Sequence, residues 1–134
     1  MGHPILDLIN KPSRLVIGFM SGTSADGIDA ALVRISGSGT DTKVQQLAFY
    51  FSPFAPEVRA EILRLAGGAP AAAADFCRIN FLLGRLCSEA GLELCRQAGL
   101  APGDIDLIGN HGQTFWHIPA EEEYLGRQIR STLQ

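Results

Sequence analysis

The tightest constraint on the fold is how little chain separates the first three apolar runs. Arg14 to Met20, Ala30 to Ile35 and Lys43 to Phe51 each read as a β-rich segment. The links between them are the break Ser21 to Asp29 and the turn cluster Gly37-Ser38-Gly39-Thr40-Asp41. Parallel neighbours need a crossover of about a dozen residues or more, whereas antiparallel neighbours need only a turn. The spacing therefore predicts an antiparallel three-stranded meander.

Helical periodicity takes over after Pro53 and Pro56, which stop strand structure. Val58, Ile62, Leu65 and Ala66 recur at helical spacing, and Gly67-Gly68 closes that short amphipathic helix. The alanine-rich run Ala69 to Ala74 reads as a linker or as the start of the next helix. From Asp75, a candidate N-cap, Phe76, Ile79, Leu83, Leu86, Ala90 and Leu94 form one stripe of a longer helix ending near Gly99. Gly84 and Gly91 lie two turns apart on it, and their cost in helix propensity suggests close packing against a neighbour. Asp104 to Gly109 then reads as a buried strand leading into the polar group Asn110-His111-Gly112-Gln113-Thr114. The order β-β-β-α-α-β predicts an α/β fold, a mixed sheet that starts as a meander and carries helices on its faces. Residues 1–13 read as a loose leader.

Composition narrows the function classes. With 134 residues, 46% hydrophobic and 19% charged, the chain has room for one ordinary globular core. A formal net charge of −3 without a stripe of Lys and Arg argues against nucleic acid as a partner. Cys77, Cys87 and Cys95 form no Cys-x-x-Cys pair and fall in one predicted helix, so they read as core thiols in a reducing compartment. Glu121-Glu122-Glu123 reads as a solvated loop rather than a metal site. The apolar run Leu15 to Met20 is far too short to span a bilayer, and Leu6 occupies the place where a myristoylation signal starting at Met1-Gly2 needs Ser or Thr. No membrane partner is expected, and the cytoplasm is the expected compartment.

The chemistry is concentrated in the link between the first two strands. Gly22, Thr23, Ser24, Ala25, Asp26, Gly27, Ile28 and Asp29 include two glycines, two hydroxyls and two carboxylates. Glycine lets backbone N–H groups approach an anion, and Thr23 and Ser24 can donate to phosphate oxygens. Asp26 or Asp29 cannot favourably touch phosphate, so a carboxylate here suggests Mg²⁺ or an ordered water between them, with Asp26 the candidate metal residue. The segment lacks the Gly-Lys-Ser/Thr of a Walker loop and leads into a strand rather than a helix. A plain hairpin turn is the alternative, because Asp-Gly is a strong hairpin signal.

The full string Gly18-Phe19-Met20-Ser21-Gly22-Thr23-Ser24-Ala25-Asp26-Gly27-Ile28-Asp29 resembles the signature of the anhydro-N-acetylmuramic acid kinases, sugar kinases of the actin/hexokinase-like superfamily. A second stretch, Asp106 to Thr114 followed by Trp116-His117, resembles that family's strand and His-Gly-Gln-Thr segment. Ser131-Thr132-Leu133-Gln134 is similar to the run entering its next block, so the resemblance covers about Arg14 to Gln134. It implies a ribonuclease H-like or actin-like ATPase lobe over 14–134, incomplete and without its second lobe. It implies ATP and Mg²⁺ as cofactors, with Gly22 to Asp29 as the first phosphate-binding loop. The implied reaction opens the 1,6-anhydro bridge of the sugar with water and phosphorylates O6, giving N-acetylmuramic acid 6-phosphate in cell-wall recycling. The family's base, an aspartate of an Asp-Phe-Arg segment, has no match here, since Asp75-Phe76-Cys77 lacks the Arg. The catalytic base is therefore expected beyond Gln134, and the chain alone is expected to be inactive. Asn110, His111, Gln113 and Thr114 are the expected sugar-side residues, with a hydrogen-bonded loop that orders the strand end as the alternative; Trp116 and His117 are expected to pack the loop, and the full-length family implies a homodimer. A kinase of another anhydrosugar, such as levoglucosan, and a non-catalytic nucleotide-binding module are the other readings.

Overall fold

The structure, a computed structural model, describes residues 4–134, so Met1, Gly2 and His3, including the Met1-Gly2 start, lie outside the described residues. Helix α1 (Pro4–Asn10) precedes strands β1 (Ser13–Ser21), β2 (Gly27–Ser36) and β3 (Lys43–Pro53). Helices α2 (Pro56–Ala66) and α3 (Ala73–Ala98) follow, then β4 (Leu107–Gln113), β5 (Trp116–Tyr124) and β6 (Arg127–Leu133). The sheet order is β3-β2-β1-β4, with β5 and β6 forming a separate two-stranded ribbon. β1 pairs antiparallel with β2, β2 antiparallel with β3, and β4 parallel with β1. The fold is α/β with a mixed sheet and a meander start, as the spacing predicted.

The core sits between this sheet and α3. Ile17 and Phe19 of β1 and Ile28, Ala30 and Leu32 of β2 meet Ala90, Leu94 and Cys95 of α3. Gly91 belongs there because any Cβ on it would come within 2.9 Å of the Phe19 ring; Gly84 has no such neighbour. A second, smaller core joins Ile62 and Leu65 of α2, Ile79 of α3 and Phe115 around Ala25. The opposite face of the sheet carries Met20, Phe49 and Phe51, all exposed.

Several expectations are corrected. The segment read as a loose leader, 1–13, contains α1 over its described part and is tied down. Arg14 donates to the carbonyls of Leu8 and Ile9, and Lys11 Nζ lies 2.6 Å from Asp106 Oδ1. Asp75 is not the N-cap of α3. Ala72 holds that position, and Asp75, a turn further in, accepts from the Ala72 N–H at 3.0 Å. The strand expected at 104–109 begins at Leu107 and runs through Gln113; it is a sheet edge rather than buried, with Leu107 and Ile108 exposed. Glu121-Glu122-Glu123 lies in β5 rather than in a loop, although it is solvated. Of the cysteines only Cys95 is core; Cys87 is half-buried and Cys77 exposed.

Candidate functional site: the link between β1 and β2

The segment 22–26 leaves β1 and returns as β2, and four sets of contacts hold it. First, the Ala25 N–H donates to the Gly22 carbonyl at 3.1 Å, closing a turn over Thr23 and Ser24. Second, Ala25 is 0% exposed, so its methyl plugs the second core against Ile62, Leu65, Ile79 and Phe115. It takes φ 49°, a left-handed conformation that costs an L-residue about 1–2 kcal/mol and persists only where the surroundings impose it. Third, the β3–α2 side reaches in, with the Phe54 N–H donating to the Asp26 carbonyl at 3.0 Å and Arg59 donating to the Ser24 carbonyl at 3.3 Å. Fourth, Gln113 Nε2 donates to the Gly22 carbonyl at 3.1 Å from the end of β4.

These contacts sort the peptide dipoles. The carbonyls of Gly22, Ser24 and Asp26 each accept from a protein donor, whereas the amides of Thr23 and Ser24 have no acceptor among the described residues. A turn with these three carbonyls engaged and two consecutive amides free presents positive character at those amides, which is how backbone binds phosphate. Arg59, exposed beside it, adds a formal positive charge.

The expected cofactor residues fall into two groups. Gly22, Thr23, Ser24 and Asp26 are exposed on the turn, and Asp29 is exposed on β2. Ala25, Gly27 and Ile28 are buried, and the Ile28 side chain belongs to the main core. Asp29, next to Ile28 on the strand, lies on the sheet face away from α3, opposite Met20 and Phe51. Gly27 answers to packing: a Cβ there would lie 2.4 Å from the Ser52 carbonyl oxygen and 2.6 Å from the Phe51 ring. The Ser24 hydroxyl donates to Asp26 Oδ1 at 3.0 Å, so its hydrogen reaches a ligand only after leaving that carboxylate.

Beside the loop, between β1, β4 and the first half of α3, lies a cleft of about 350 Å³. Asn80, Asn110, Gly112, Gln113 and Gln134 supply its polar groups, and Phe19, Phe76, Leu83 and Phe115 its apolar walls. Phe76 and Phe115 meet edge to face at 5.8 Å. Asn110 accepts from the Gly112 N–H at 2.9 Å and approaches Cys87 Sγ at 3.8 Å. Burial pushes the Cys87 thiol up, and Asn110 partly offsets this. Thr114 Oγ1 accepts from Gln134, while His111 is exposed and outside the cleft wall. Trp116 lies against Gly68, and His117 pairs with the Thr132 hydroxyl at 2.7 Å. Sequence reasoning missed Arg59 and the Phe54 amide, since nothing local to α2 announces a contact 35 residues back along the chain.

The sequence model of the family described as anhydro-N-acetylmuramic acid kinase matches residues 14–133. The chain belongs to the anhydro-N-acetylmuramic acid kinase family. A protein of that name from Caldanaerobacter subterraneus subsp. tengcongensis is 53% identical over 130 residues, covering 97% of this chain and 33% of the relative. Proteins of the same name from Bacillus thuringiensis and Bacillus cereus are 42% and 44% identical over 119 residues, covering 89% of this chain and 30% of theirs. The chain thus spans about a third of the length of the curated relatives it matches. No helix among the described residues is long and apolar enough to cross a membrane.

Proposed function

We propose that this chain supplies the phosphate-binding part of an ATP-dependent kinase that opens the 1,6-anhydro bond of anhydro-N-acetylmuramic acid and phosphorylates O6, giving N-acetylmuramic acid 6-phosphate for cell-wall recycling. The observation that carries the reading is the turn at 22–26, where the Gly22, Ser24 and Asp26 carbonyls accept from protein donors while the Thr23 and Ser24 amides have no acceptor among the described residues. The four-stranded sheet is read as the first lobe of an actin/hexokinase-like ATPase. Its support is the meander β3-β2-β1 followed by a parallel β4, with the turn at the C-terminal end of β1.

In this reading the Thr23 and Ser24 amides and the Thr23 hydroxyl hold phosphate oxygens, and Arg59 adds charge at the same edge. The described residues contain no cluster of three potential metal ligands. Mg²⁺ usually takes one or two carboxylates, waters and the phosphates themselves, so a single carboxylate at the turn is enough from this chain. Asp26, exposed and already oriented by Ser24, is the residue that would hold it. A bound ion there would neutralise charge on the transferring phosphoryl group. The remaining work of this chain is positioning, since no residue in it is assigned as the base that activates water.

The test is a chimera in which this chain replaces the matching third of the Caldanaerobacter relative. It should release ADP from ATP·Mg²⁺ only when anhydro-N-acetylmuramic acid is present, and the 134-residue chain alone should not. A folded chimera without sugar-dependent ADP release would sink the reading.

A further inference from the structure

Gln113 is 3% exposed, yet it lies at the rim of the cleft and next to the turn. Its amide is spent on the protein. Oε1 accepts from the Ser21 hydroxyl at 2.6 Å, and Nε2 donates to the carbonyls of Gly22 at 3.1 Å and Thr114 at 3.3 Å. The Ser21 hydroxyl also lies 2.9 Å from the Gly27 carbonyl, and its single hydrogen serves the shorter contact. Turning the amide over would set Oε1 against two carbonyls, so the donor orientation at Gly22 is fixed by chemistry.

A local irregularity in β4 puts Gln113 there. Along the parallel pair β1/β4, Phe19 faces Asn110 but Ser21 faces Gln113, so β4 spends one extra residue over that step. Strand side chains alternate faces, and without the extra residue Gln113 would point to the other side of the sheet. The bulge is made by Gly112 at φ 80° and braced by its N–H donating to Asn110 Oδ1. Asn110, Gly112 and Gln113 therefore act together to deliver one amide to the Gly22 carbonyl.

We propose that Gln113 is a positioning residue for the phosphate turn, holding the Gly22 carbonyl inward so that the Thr23 and Ser24 amides stay free for an anion. This assigns Gln113 to the phosphate side rather than to direct sugar contact, and it rests on the reading of 22–26 given above. Asn110 braces the strand that carries it.

Three variants of the chain, Gln113→Leu, Gln113→Glu and Ser21→Ala, test the assignment by two readouts. The first is backbone amide NMR shifts and hydrogen exchange at Gly22 to Ala25 without nucleotide; the second is calorimetric affinity for ADP·Mg²⁺ of the same variants in the Caldanaerobacter chimera. Gln113→Leu should weaken ADP·Mg²⁺ about tenfold or more, the size of one lost oriented hydrogen bond near charge. It should also speed exchange in the turn while leaving α3 amides unchanged. Gln113→Glu should be impaired when ionised and recover, relative to wild type at each pH, as acid restores an O–H that donates to Gly22. Burial raises the titration of such a carboxyl into a workable range. Ser21→Ala should show a smaller loss of the same pattern.

Unchanged turn amides and affinity in Gln113→Leu would overturn the proposal. If that variant does not fold, a pH-independent Gln113→Glu with wild-type turn signals does the same. Should the parent chimera fail to bind ADP·Mg²⁺, the functional reading above falls, and the exchange data still decide whether Gln113 holds the turn.

Discussion

Two of the hairpin connections, β1–β2 and β5–β6, are built on opposite principles. Between β5 and β6 the chain reverses with Leu125 and Gly126 alone, at φ 52° and φ 75°, closing the pair Tyr124–Arg127. Two residues with positive φ make the tight turn whose twist matches the flanking strands, so backbone geometry suffices. Between β1 and β2 the chain spends residues 22–26, holds Ala25 in a left-handed conformation, buries its methyl and recruits donors from the β3–α2 link, α2 and β4. A reversal alone needs none of that. The longer connection is over-determined, and two of its amides have no acceptor among the described residues.

The largest effect should come from the longer connection and appear in catalysis. In the chimera with the Caldanaerobacter relative, Asp26→Asn should lower kcat by about 100-fold, in the range seen when one preorganised electrostatic group is removed. The melting temperature should stay near that of the parent, since Asp26 is exposed and, among the described residues, its side chain takes only the Ser24 hydroxyl. A kcat near the parent value would break the comparison, because the expense of the connection would then have no chemical purpose.

Next comes Gly27→Ala, which tests the root of the same hairpin through packing. The new Cβ meets the Ser52 carbonyl at 2.4 Å, and a backbone oxygen cannot rotate away as a side chain would. Overpacking of this kind costs about 1–3 kcal/mol. Urea denaturation should show the loss, and a variant as stable as wild type would mean that β2 and β3 separate freely there.

How much of this was legible in the sequence differs between the two hairpins. Asp26-Gly27 announced a turn, and the apolar runs on either side announced its strands, because Ile17, Phe19, Ile28, Ala30 and Leu32 alternate into one core. The second hairpin was invisible. β5 and β6 bury almost nothing, so no apolar alternation marks them, and Leu125-Gly126 lacks the Asn or Asp that usually signals such a turn. The motif of the site was legible but not what holds it. Gln113 follows a bulge that reverses its side, and periodicity cannot see a bulge. The strand at Asp104 to Gly109 was misplaced for a similar reason, since an apolar run reads alike on an edge strand and in a buried one.

Acid should loosen the base of β4 and so sharpen the contrast. Asp106 accepts from Lys11 and from the Leu15 N–H at 2.8 Å, and those hydrogen bonds, the Lys11 one foremost, hold its carboxyl below its ordinary value. A carboxylate depressed in the folded state adds stability that is present in full above its unfolded pKa of about 3.9. That stability is lost as pH falls through the lower folded value. Asp106→Asn should therefore cost about 1 kcal/mol near neutrality and flatten the acid limb of the stability curve. A parallel acid limb in variant and wild type would show that Asp106 does not pin β4 to β1.

The smallest effect should come from Leu125→Gly and should be favourable. Leu125 is 85% exposed, so its side chain gives up almost no burial. Moving an L-residue out of the left-handed region relieves about 1–2 kcal/mol. Glycine's greater freedom in the unfolded chain takes back about 0.5–1 kcal/mol. The net gain is about 0.5 kcal/mol, confined to a two-stranded ribbon that is marginal on its own. Hydrogen exchange should thus slow about twofold at the ribbon's paired amides, with β1–β4 unchanged, as expected when a unit opens locally. Affinity for ADP·Mg²⁺ should not move. The ribbon does touch the site's neighbourhood, because the Phe115 N–H donates to the Leu133 carbonyl at 2.8 Å. A change in the Gly22 to Ala25 amides would therefore mean that the second hairpin feeds the first through Phe115 and the core around Ala25, and the two connections would no longer be independent.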